Sequence, residues 1–268
     1  MPPDSVLSNS VPARMAAADQ NGVRMVIGGN RGIGLALTRA QLEDPRVSRV
    51  IATHRPGADL RELAPLSERY GDKLVLQLLD IGDDTSIGRF ARFLEHQEGG
   101  IDIAIHAAGI LHEEAIEPEK TFTQCTTSNL KRLFEINSVG PLMVAGALIP
   151  AQSRKRHFKF AALSAMVGSI ADNRLGGWYG YRASKTALNQ FIKTLANECR
   201  IKYPNASIVA IHPGTTDTDL SRPFQRNVQP GKLYTPQQTA SRILNVIENM
   251  SQDQSGNFLN WDGSQIPW

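Results

Sequence analysis

Short apolar segments alternate with helical patterns along most of the sequence. The apolar segments predict buried strands at residues 23–27, 47–53, 74–79, 101–105, 158–163, 207–211 and 257–261. Apolar residues at helical spacing predict helices after residue 34 and over residues 60–70, 84–97, 130–148, 181–199 and 235–250. Because strands and helices alternate in this way in α/β proteins, we expect one doubly wound domain with about seven parallel strands and helices on both faces of the sheet.

The first 22 residues differ in composition from the rest of the chain. They are rich in Pro, Ser, Ala and Asn, and they lack the apolar stretch of a secretory signal. Asp4, Asp19 and the single Arg14 also disfavour a transit peptide, although they do not exclude one. We therefore expect a flexible tail over residues 1–22 and one domain over residues 23–268.

Composition limits the class of protein. The chain has 268 residues, a net charge of +3 that is spread along the sequence, and two cysteines without metal-ligand spacing, Cys125 and Cys199. The dispersed charge argues against a nucleic-acid surface, and no run of about 18 apolar residues indicates a membrane span. Free thiols suit a reducing compartment, so we expect a cytoplasmic protein. The acidic segment 112–120 lacks ligand spacing and predicts a solvated loop without a metal.

A glycine-rich loop follows the first predicted strand. Gly28, Gly32 and Gly34 give the spacing G-x3-G-x-G at the start of the first helix. Glycines let the backbone turn sharply and approach a pyrophosphate, and the N-terminus of a helix offers free N–H groups. This order of strand, loop and helix predicts a dinucleotide site of the Rossmann type.

The end of the second strand indicates which dinucleotide is bound. NAD sites usually have an acidic residue there, which binds the ribose 2′-hydroxyl. Here residues 52–55 end the strand without a carboxylate before Asp59, and Arg55 with Arg31 can bind a 2′-phosphate. Either arginine alone would be an ordinary surface charge, but together they favour NADP(H).

Tyr181 and Lys185 lie four residues apart and therefore on the same face of a predicted helix. A lysine ammonium near a phenol favours the phenolate, so we expect the pKa of Tyr181 to fall. Such a tyrosine can donate a proton to a carbonyl oxygen or accept one from an alcohol near neutral pH. A Tyr and a Lys at this spacing are often merely exposed, and it is the dinucleotide site that favours the chemical interpretation.

Together these motifs resemble the short-chain dehydrogenase/reductase (SDR) family, most of all its carbonyl-reductase branch of the sniffer and C-factor type. The resemblance covers residues 23–268, and its other motifs are Asp80-Ile81, His106-Ala107-Ala108-Gly109, Asn137-Ser138-Val139-Gly140 and Pro213-Gly214 with Thr218. It implies that the cofactor contacts Gly28, Asn30, Arg31, Gly32, Ile33, Gly34, Arg55, Asp80, Ile81, Ala107, Ala108, Gly109, Lys185, Pro213, Gly214 and Thr218.

The resemblance also implies a reaction. Hydride from NADP(H) would reduce the carbonyl group of a small-molecule aldehyde or ketone to an alcohol, with Tyr181 as the general acid. Lys185 would lower the pKa of Tyr181 and bind the nicotinamide ribose, and Asn137 would hold a proton-relay water. Family members are often homodimers or homotetramers, which is implied here by analogy alone.

The sequence departs from the family pattern at three positions. Ile27 replaces a Thr before the first loop glycine, and His106 replaces the first Asn of an Asn-Asn-Ala-Gly motif. Ala165 stands at the usual position of the catalytic Ser, three residues before a Gly. We favour Ser164, one residue earlier, as the hydroxyl that orients the substrate carbonyl, with Ser169 as a second candidate. A Ser that only bonds the local backbone is the alternative.

Two further features bear on the substrate. The long segment over residues 219–234 predicts a lid. Trp178 and Tyr179, next to Tyr181, predict either an aromatic wall for an apolar carbonyl compound or the packing of the helix start. The missing Ser leaves a second hypothesis, a signalling or regulatory protein that binds NADP(H) with little turnover.

Overall fold

The computed structural model describes residues 22–97, 99–114 and 116–268, so residues 1–21 of the predicted tail lie outside the described residues. Its strands are β1 (Gly22–Ile27), β2 (Val47–His54), β3 (Leu74–Leu78), β4 (Ile103–His106), β5 (Phe158–Leu163), β6 (Ala206–His212), β7 (Thr215–Thr216), β8 (Leu233–Tyr234) and β9 (Phe258–Asn260). Its α-helices are α1 (Gly32–Glu43), α2 (Ala64–Tyr70), α3 (Asp84–Glu95), α4 (Thr127–Phe134), α5 (Gly140–Leu148), α6 (Tyr179–Lys202) and α7 (Pro236–Asn249). A π-helical turn, Glu135–Val139, joins α4 to α5.

Seven strands form one sheet in the order β3-β2-β1-β4-β5-β6-β9, and every neighbouring pair is parallel. The prediction of a single doubly wound sheet with seven parallel strands is confirmed. The short pair of β7 and β8 lies outside this sheet. Among the described residues, no helix combines the length and the hydropathy that crossing a bilayer requires.

Buried apolar clusters cover both faces of the sheet. One cluster joins α3, α5 and α6 to the first face and includes Phe90 and Phe160. Another joins α1 and α7 to the opposite face and includes Leu37 and Ile243. Because the helices that follow β1 and β4 lie on opposite faces and these two strands are neighbours, a crevice opens beyond their carboxyl ends.

Two helices differ from their predicted bounds at their N-terminal ends by more than two residues. The helix predicted over residues 60–70 begins at Ala64, because Pro65 suits the first turn of a helix, where no N–H is needed. The helix predicted over residues 130–148 begins earlier, where the hydroxyl of Thr126 accepts the N–H of Asn129. It also contains the π-turn, which adds one residue to a single turn and barely changes the apolar spacing.

Candidate active site

A cleft of about 810 Å³ lies at the carboxyl ends of the central strands. The candidate residues that line it are Gly28, Asn30, Arg31, Gly32, Ile33, Gly34, Arg55, Asp80, Ile81, Ala107, Ala108, Gly109, Ser164, Tyr181, Lys185, Pro213 and Thr218. Asn137 and Gly214 are not part of this lining. The structure therefore brings nearly all the cofactor and catalytic candidates to one cleft.

The glycine loop depends on close contact between backbone segments. Gly28 has a φ of 80°, and a Cβ there would lie 3.0 Å from Ala108 in the loop after β4. A Cβ on Gly34 would lie 2.0 Å from the carbonyl oxygen of Gly28, so only glycine lets α1 start this close to β1. The first turn of α1 lines the cleft, where its free N–H groups suit a phosphate.

A hydroxyl from the neighbouring strand stabilises this loop. Thr53 is buried, and its Oγ1 accepts the N–H of Gly28 at 3.1 Å. Its carbonyl oxygen accepts the N–H of Gly29 at 2.9 Å. The hydroxyl that Ile27 lacks is therefore supplied by β2. Sequence reasoning missed Thr53 because the contact joins residues 25 positions apart.

Charged side chains gather where the cleft meets β2. A guanidinium nitrogen of Arg55 lies 3.8 Å from a carboxylate oxygen of Glu113, and Glu113 also contacts Arg132 at 3.2 Å. Asp59, the first carboxylate after β2, pairs with Arg61 at 2.6 Å. Arg55 thus follows the end of β2 and lines the cleft, and β2 itself contributes no carboxylate there.

The acidic segment 112–120 is only partly the solvated loop that its composition predicts, since Glu114, Glu117 and Lys120 are exposed. Glu113 lines the cleft, and Glu119 is 3% exposed because it packs against the start of α6. His112 is half-buried, with its Nε2 3.2 Å from the carbonyl oxygen of Asp219. The prediction failed because these partners are distant in sequence. Within residues 22–97, 99–114 and 116–268, no group of three His, Cys, Asp or Glu residues is placed to hold a metal ion.

Tyr181 and Lys185 lie on one face of α6 and line the cleft, at 8% and 5% exposure. The Nζ of Lys185 lies 5.8 Å from the centre of the Tyr181 ring and donates to the carbonyl oxygen of Leu163 at 2.9 Å. Burial raises the pKa of Tyr181 and lowers the pKa of Lys185 to about 8. This direction is opposite to the predicted fall in the pKa of Tyr181, because burial disfavours the charged phenolate.

Asn137 lies in the π-turn and holds the loop that follows β4. Its Oδ1 accepts the N–H of Ile110, and its Nδ2 donates to the carbonyl oxygen of Ile110, both at 2.8 Å. Nδ2 also donates to the Oγ of Ser184 at 3.1 Å. The side chain therefore connects the loop after β4 to α6, the helix that carries Tyr181.

The hydroxyl of Ser164 is engaged by α6. Its Oγ donates to Oδ1 of Asn189 at 2.7 Å, and the residue is 4% exposed. Because a hydroxyl has one proton, this bond must be exchanged before Ser164 can donate to a substrate carbonyl. Ala165 packs on the apolar cluster that contains Tyr181, and Ser169 donates to a backbone carbonyl instead. The role of Ser164 as the orienting hydroxyl stays a prediction.

Aromatic side chains pack around Tyr181, in an apolar cluster that lies beside the lining of the cleft. Trp178 is edge-on to Tyr181 with ring centres 6.2 Å apart, and Phe224 packs on Trp178 at 5.0 Å. His112 approaches Phe224 from the loop after β4, at 5.8 Å. Tyr179, in contrast, is 41% exposed. Of the two aromatic residues that the sequence offers for a wall, Trp178 is the one packed beside Tyr181.

The segment 219–234 is anchored at both ends. Its last strand, β8, pairs with β7, and the hydroxyl of Ser221 donates to the carbonyl oxygen of Thr216. A 3-10 helix, Arg222–Asn227, lies between these anchors and carries Phe224. Its function as a lid stays a prediction.

His106 replaces the family's Asn and is buried beside Lys185. It is 1% exposed, and its Nε2 has no hydrogen-bond partner among the described residues. Burial first, and the charge of Lys185 second, lower the pKa of His106 to about 3. The imidazole is therefore neutral at physiological pH.

We expect the substitution His106→Asn to make the stability less sensitive to acid. The pKa of His106 is about 3 in the folded protein and 6.5 ordinarily, so the unfolded chain binds more protons between these values. Stability is therefore lost as the pH falls below the ordinary value, by about 2 kcal/mol between about pH 7 and pH 5. Urea unfolding at the two pH values measures this difference.

The variant should lose less stability than the wild type on acidification. The matched control is His157→Asn, at an exposed position, which should retain the wild-type dependence on pH. An equal loss in His106→Asn and in the wild type would contradict the pKa argument.

The protein also shares sequence and structure with known proteins. The short chain dehydrogenase family model matches residues 23–229. C-signal of Myxococcus xanthus is 29% identical over 171 residues, which is 63% of this chain and 94% of C-signal. The structure of carbonyl reductase Sniffer of D. melanogaster matches with a TM-score of 0.80 and 25% identity, over 92% of this chain and 99% of that chain. The NADPH-bound carbonyl reductase from chicken fatty liver has a TM-score of 0.80 and 27% identity, over 92% and 94% of the two chains.

These matches agree with the motifs. The resemblance to sniffer and C-factor proteins is confirmed by relatives of both kinds. The family match spans the glycine loop, the π-turn that holds Asn137, and the Tyr181–Lys185 pair. The chain therefore belongs to the short chain dehydrogenase family of oxidoreductases.

Proposed function

We propose that this protein uses NADP(H) to reduce the carbonyl group of a small aldehyde or ketone to an alcohol. The observation that carries the proposal is the buried Tyr181, which lines the same cleft as Lys185 and the glycine loop. The relatives support the choice of reaction and cofactor, because Sniffer is a carbonyl reductase and the chicken enzyme binds NADPH.

The residues of the cleft fit a dinucleotide. The glycine loop leaves space where a Cβ would collide, and the start of α1 offers free N–H groups to a pyrophosphate. Asp80 and Ile81 would contact the adenine, and Pro213, Gly214 and Thr218 would hold the nicotinamide end. When bound, the reduced nicotinamide supplies a hydride for the carbonyl carbon.

Tyr181 donates the proton that the carbonyl oxygen needs. Burial raises its pKa and keeps the phenol protonated at neutral pH, as a general acid must be before it reacts. Lys185 is charged below its pKa of about 8 and stabilises the phenolate that remains after the transfer.

Two more residues complete the proposed mechanism. Asn137 holds the relay water through which Tyr181 regains a proton. Ser164 orients the substrate carbonyl once its hydroxyl leaves Asn189. Both roles come from the family resemblance, and the positions of the two residues next to α6 support them.

The substrate is apolar apart from its carbonyl group. The wall beside Tyr181 is made of apolar side chains that include Ala165, Trp178 and Phe224. Aromatic rings attract other rings in edge-to-face and offset arrangements, so an aromatic aldehyde or ketone suits this wall. The segment 219–234 acts as the lid, since its Phe224 already packs on Trp178.

The substitution Arg55→Ala should weaken NADPH binding far more than NADH binding. A charge-assisted bond from a guanidinium to the 2′-phosphate is worth about 2 kcal/mol, so the Kd for NADPH should rise about 30-fold. The Kd for NADH should change by less than about twofold, because NADH has no phosphate at that position. Fluorescence titration with both cofactors measures the difference.

The control for this prediction is Arg61→Ala. Arg61 is a nearby guanidinium with 88% of its side chain exposed, and it pairs with Asp59. It should leave both affinities at the wild-type level. If Arg55→Ala weakens the binding of NADPH and NADH equally, Arg55 does not bind the 2′-phosphate.

The experiment that tests the proposed function is NADPH consumption against a panel of aldehydes, ketones and quinones. Turnover of aromatic aldehydes supports the proposal, and Ser164→Ala assayed alongside shows whether that hydroxyl takes part. Tight NADPH binding without turnover of any carbonyl would favour the signalling or regulatory hypothesis instead.

The assembly and the location of the protein stay predictions. The family resemblance implies a homodimer or a homotetramer, and light scattering after gel filtration measures the mass directly. We keep the expectation of a cytoplasmic enzyme of small molecules, without a nucleic-acid partner.

A further inference from the structure

Glu119 lies in the loop between β4 and α4, yet it is almost completely buried. Its side chain reaches the start of α6, where Oε2 accepts the N–H of Gly180 at 3.2 Å. The residue at the N-cap position of α6 is Trp178, which makes no side-chain capping bond. The first N–H groups of a helix need acceptors, and the helix dipole is positive there. The Glu119 side chain therefore caps the N-terminus of α6 in place of the N-cap residue.

The backbone of Glu119 also forms a hydrogen bond with the residues at the start of α6. Its carbonyl oxygen accepts the N–H of Trp178. Trp178 has a φ of 52° and is the single non-glycine residue with positive φ among the described residues. Such a conformation is unfavourable for a large side chain and persists only where its surroundings impose it. Glu119 therefore binds the backbone N–H groups of residues 178 and 180, which lie three and one positions before Tyr181.

The contact leaves no free space. A Cβ on Gly180 would lie 3.0 Å from Oε1 of Glu119 and 2.6 Å from Cδ1 of Leu133. Oε1 itself is buried without a hydrogen-bond partner among the described residues. A buried oxygen without a hydrogen-bond partner costs stability, so its position at the start of α6 calls for an explanation.

We infer that Glu119 is a positioning residue for Tyr181. By fixing the first turn of α6, it sets the direction of the Tyr181 hydroxyl and holds the Trp178 ring against it at 6.2 Å. The inference rests on the proposed function, in which Tyr181 is the proton donor. A displacement of about 1 Å in a catalytic group typically lowers the rate about 100-fold.

The test compares three variants with the wild type. Glu119→Ala removes the carboxylate, whereas Glu119→Gln keeps an oxygen that can accept the N–H of Gly180. Asp83→Ala removes an ordinary helix cap, because Asp83 accepts the N–H of Thr85 at the start of α3. For each protein, kcat and KM with an aromatic aldehyde, the Kd for NADPH and the melting temperature are measured.

We expect Glu119→Ala to lower kcat about 100-fold while the Kd for NADPH changes less than about threefold. Glu119→Gln should recover most of kcat, to within about fivefold of the wild type, because the bond to Gly180 is restored. Asp83→Ala should lower the melting temperature and leave kcat within about twofold of the wild type. If Glu119→Ala does not fold, Glu119→Asp, which keeps the charge on a shorter side chain, takes its place with a smaller expected loss of kcat.

Three outcomes would overturn the inference. If the wild type is active and Glu119→Ala has an unchanged kcat, Glu119 acts only as a structural cap. The same conclusion follows if Asp83→Ala loses as much kcat as Glu119→Ala does. A wild type that binds NADPH and reduces no carbonyl would remove the proposed function, and the positioning role with it.

Discussion

Replacement of Tyr181 by Phe is expected to lower kcat for carbonyl reduction about 1,000-fold. The substitution removes only the hydroxyl, and the ring that packs on Trp178 remains. Because the hydroxyl is the sole proton donor that α6 places in the cleft beside Lys185, no other group in our account can replace it. The Kd for NADPH should stay within about twofold of the wild-type value, because the dinucleotide contacts lie elsewhere.

The matched control for this prediction is Tyr179→Phe. It removes the same hydroxyl two residues earlier, from a side chain that is 41% exposed. We expect kcat in this variant to equal that of the wild type. Turnover by Tyr181→Phe within about tenfold of the wild type would contradict the assignment of Tyr181 as the general acid.

Replacement of Gly34 by Ala is expected to destroy the dinucleotide loop. The new Cβ would lie 2.0 Å from the carbonyl oxygen of Gly28, so either α1 or the loop after β1 must move. Overpacking of this kind typically costs about 3 kcal/mol, and here the moving atoms are those that face the pyrophosphate. We expect a loss of about 3 kcal/mol in the free energy of unfolding and about 100-fold weaker NADPH binding.

Gly88→Ala provides the comparison for the same chemical change. Gly88 lies inside α3, and no atom lies within 4 Å of the position of its added Cβ. Alanine there should raise the free energy of unfolding by about 0.5–1 kcal/mol, because Ala favours a helix more than Gly does. Urea unfolding and NADPH titration measure both variants. A Gly34→Ala protein with wild-type stability and affinity would refute the close contact between α1 and β1.

Local patterns in the sequence were sufficient to predict the sheet and the location of the cleft. Buried parallel strands are short and apolar, and the segments that separate them have helical periodicity, so the order of the elements follows from local sequence. The glycine loop and the Tyr181–Lys185 pair were equally accessible, because each is a short motif on one loop or one helix face. Parallel strands then bring the motifs at their carboxyl ends to one cleft.

Contacts between distant segments were beyond such reasoning. Three of them shape the site and join residues 25, 27 and 61 positions apart, namely Thr53 with Gly28, Asn137 with Ile110, and Glu119 with Gly180. No local pattern marks these partners. Glu119 was assigned to a solvated loop because of its charge, and only the packed structure shows its burial at the start of α6.

The pKa of Tyr181 illustrates the same limit. Helical spacing correctly places Lys185 on the same face of α6, but it carries no information about burial. In the structure, burial raises the pKa of the phenol. In the proposed mechanism Tyr181 therefore starts as a protonated phenol, which can donate to the carbonyl oxygen.

Transfer of deuterium from NADPH labelled at C4 to an aromatic aldehyde tests whether this protein is a carbonyl reductase. We expect the wild-type protein to form an alcohol with one deuterium on the former carbonyl carbon when the transferred position of NADPH is labelled. We expect Tyr181→Phe to form almost none while it still binds NADPH. Unlabelled alcohol from either labelled form of NADPH, or no alcohol despite tight binding of NADPH by the wild type, would contradict the assignment of this protein as a carbonyl reductase.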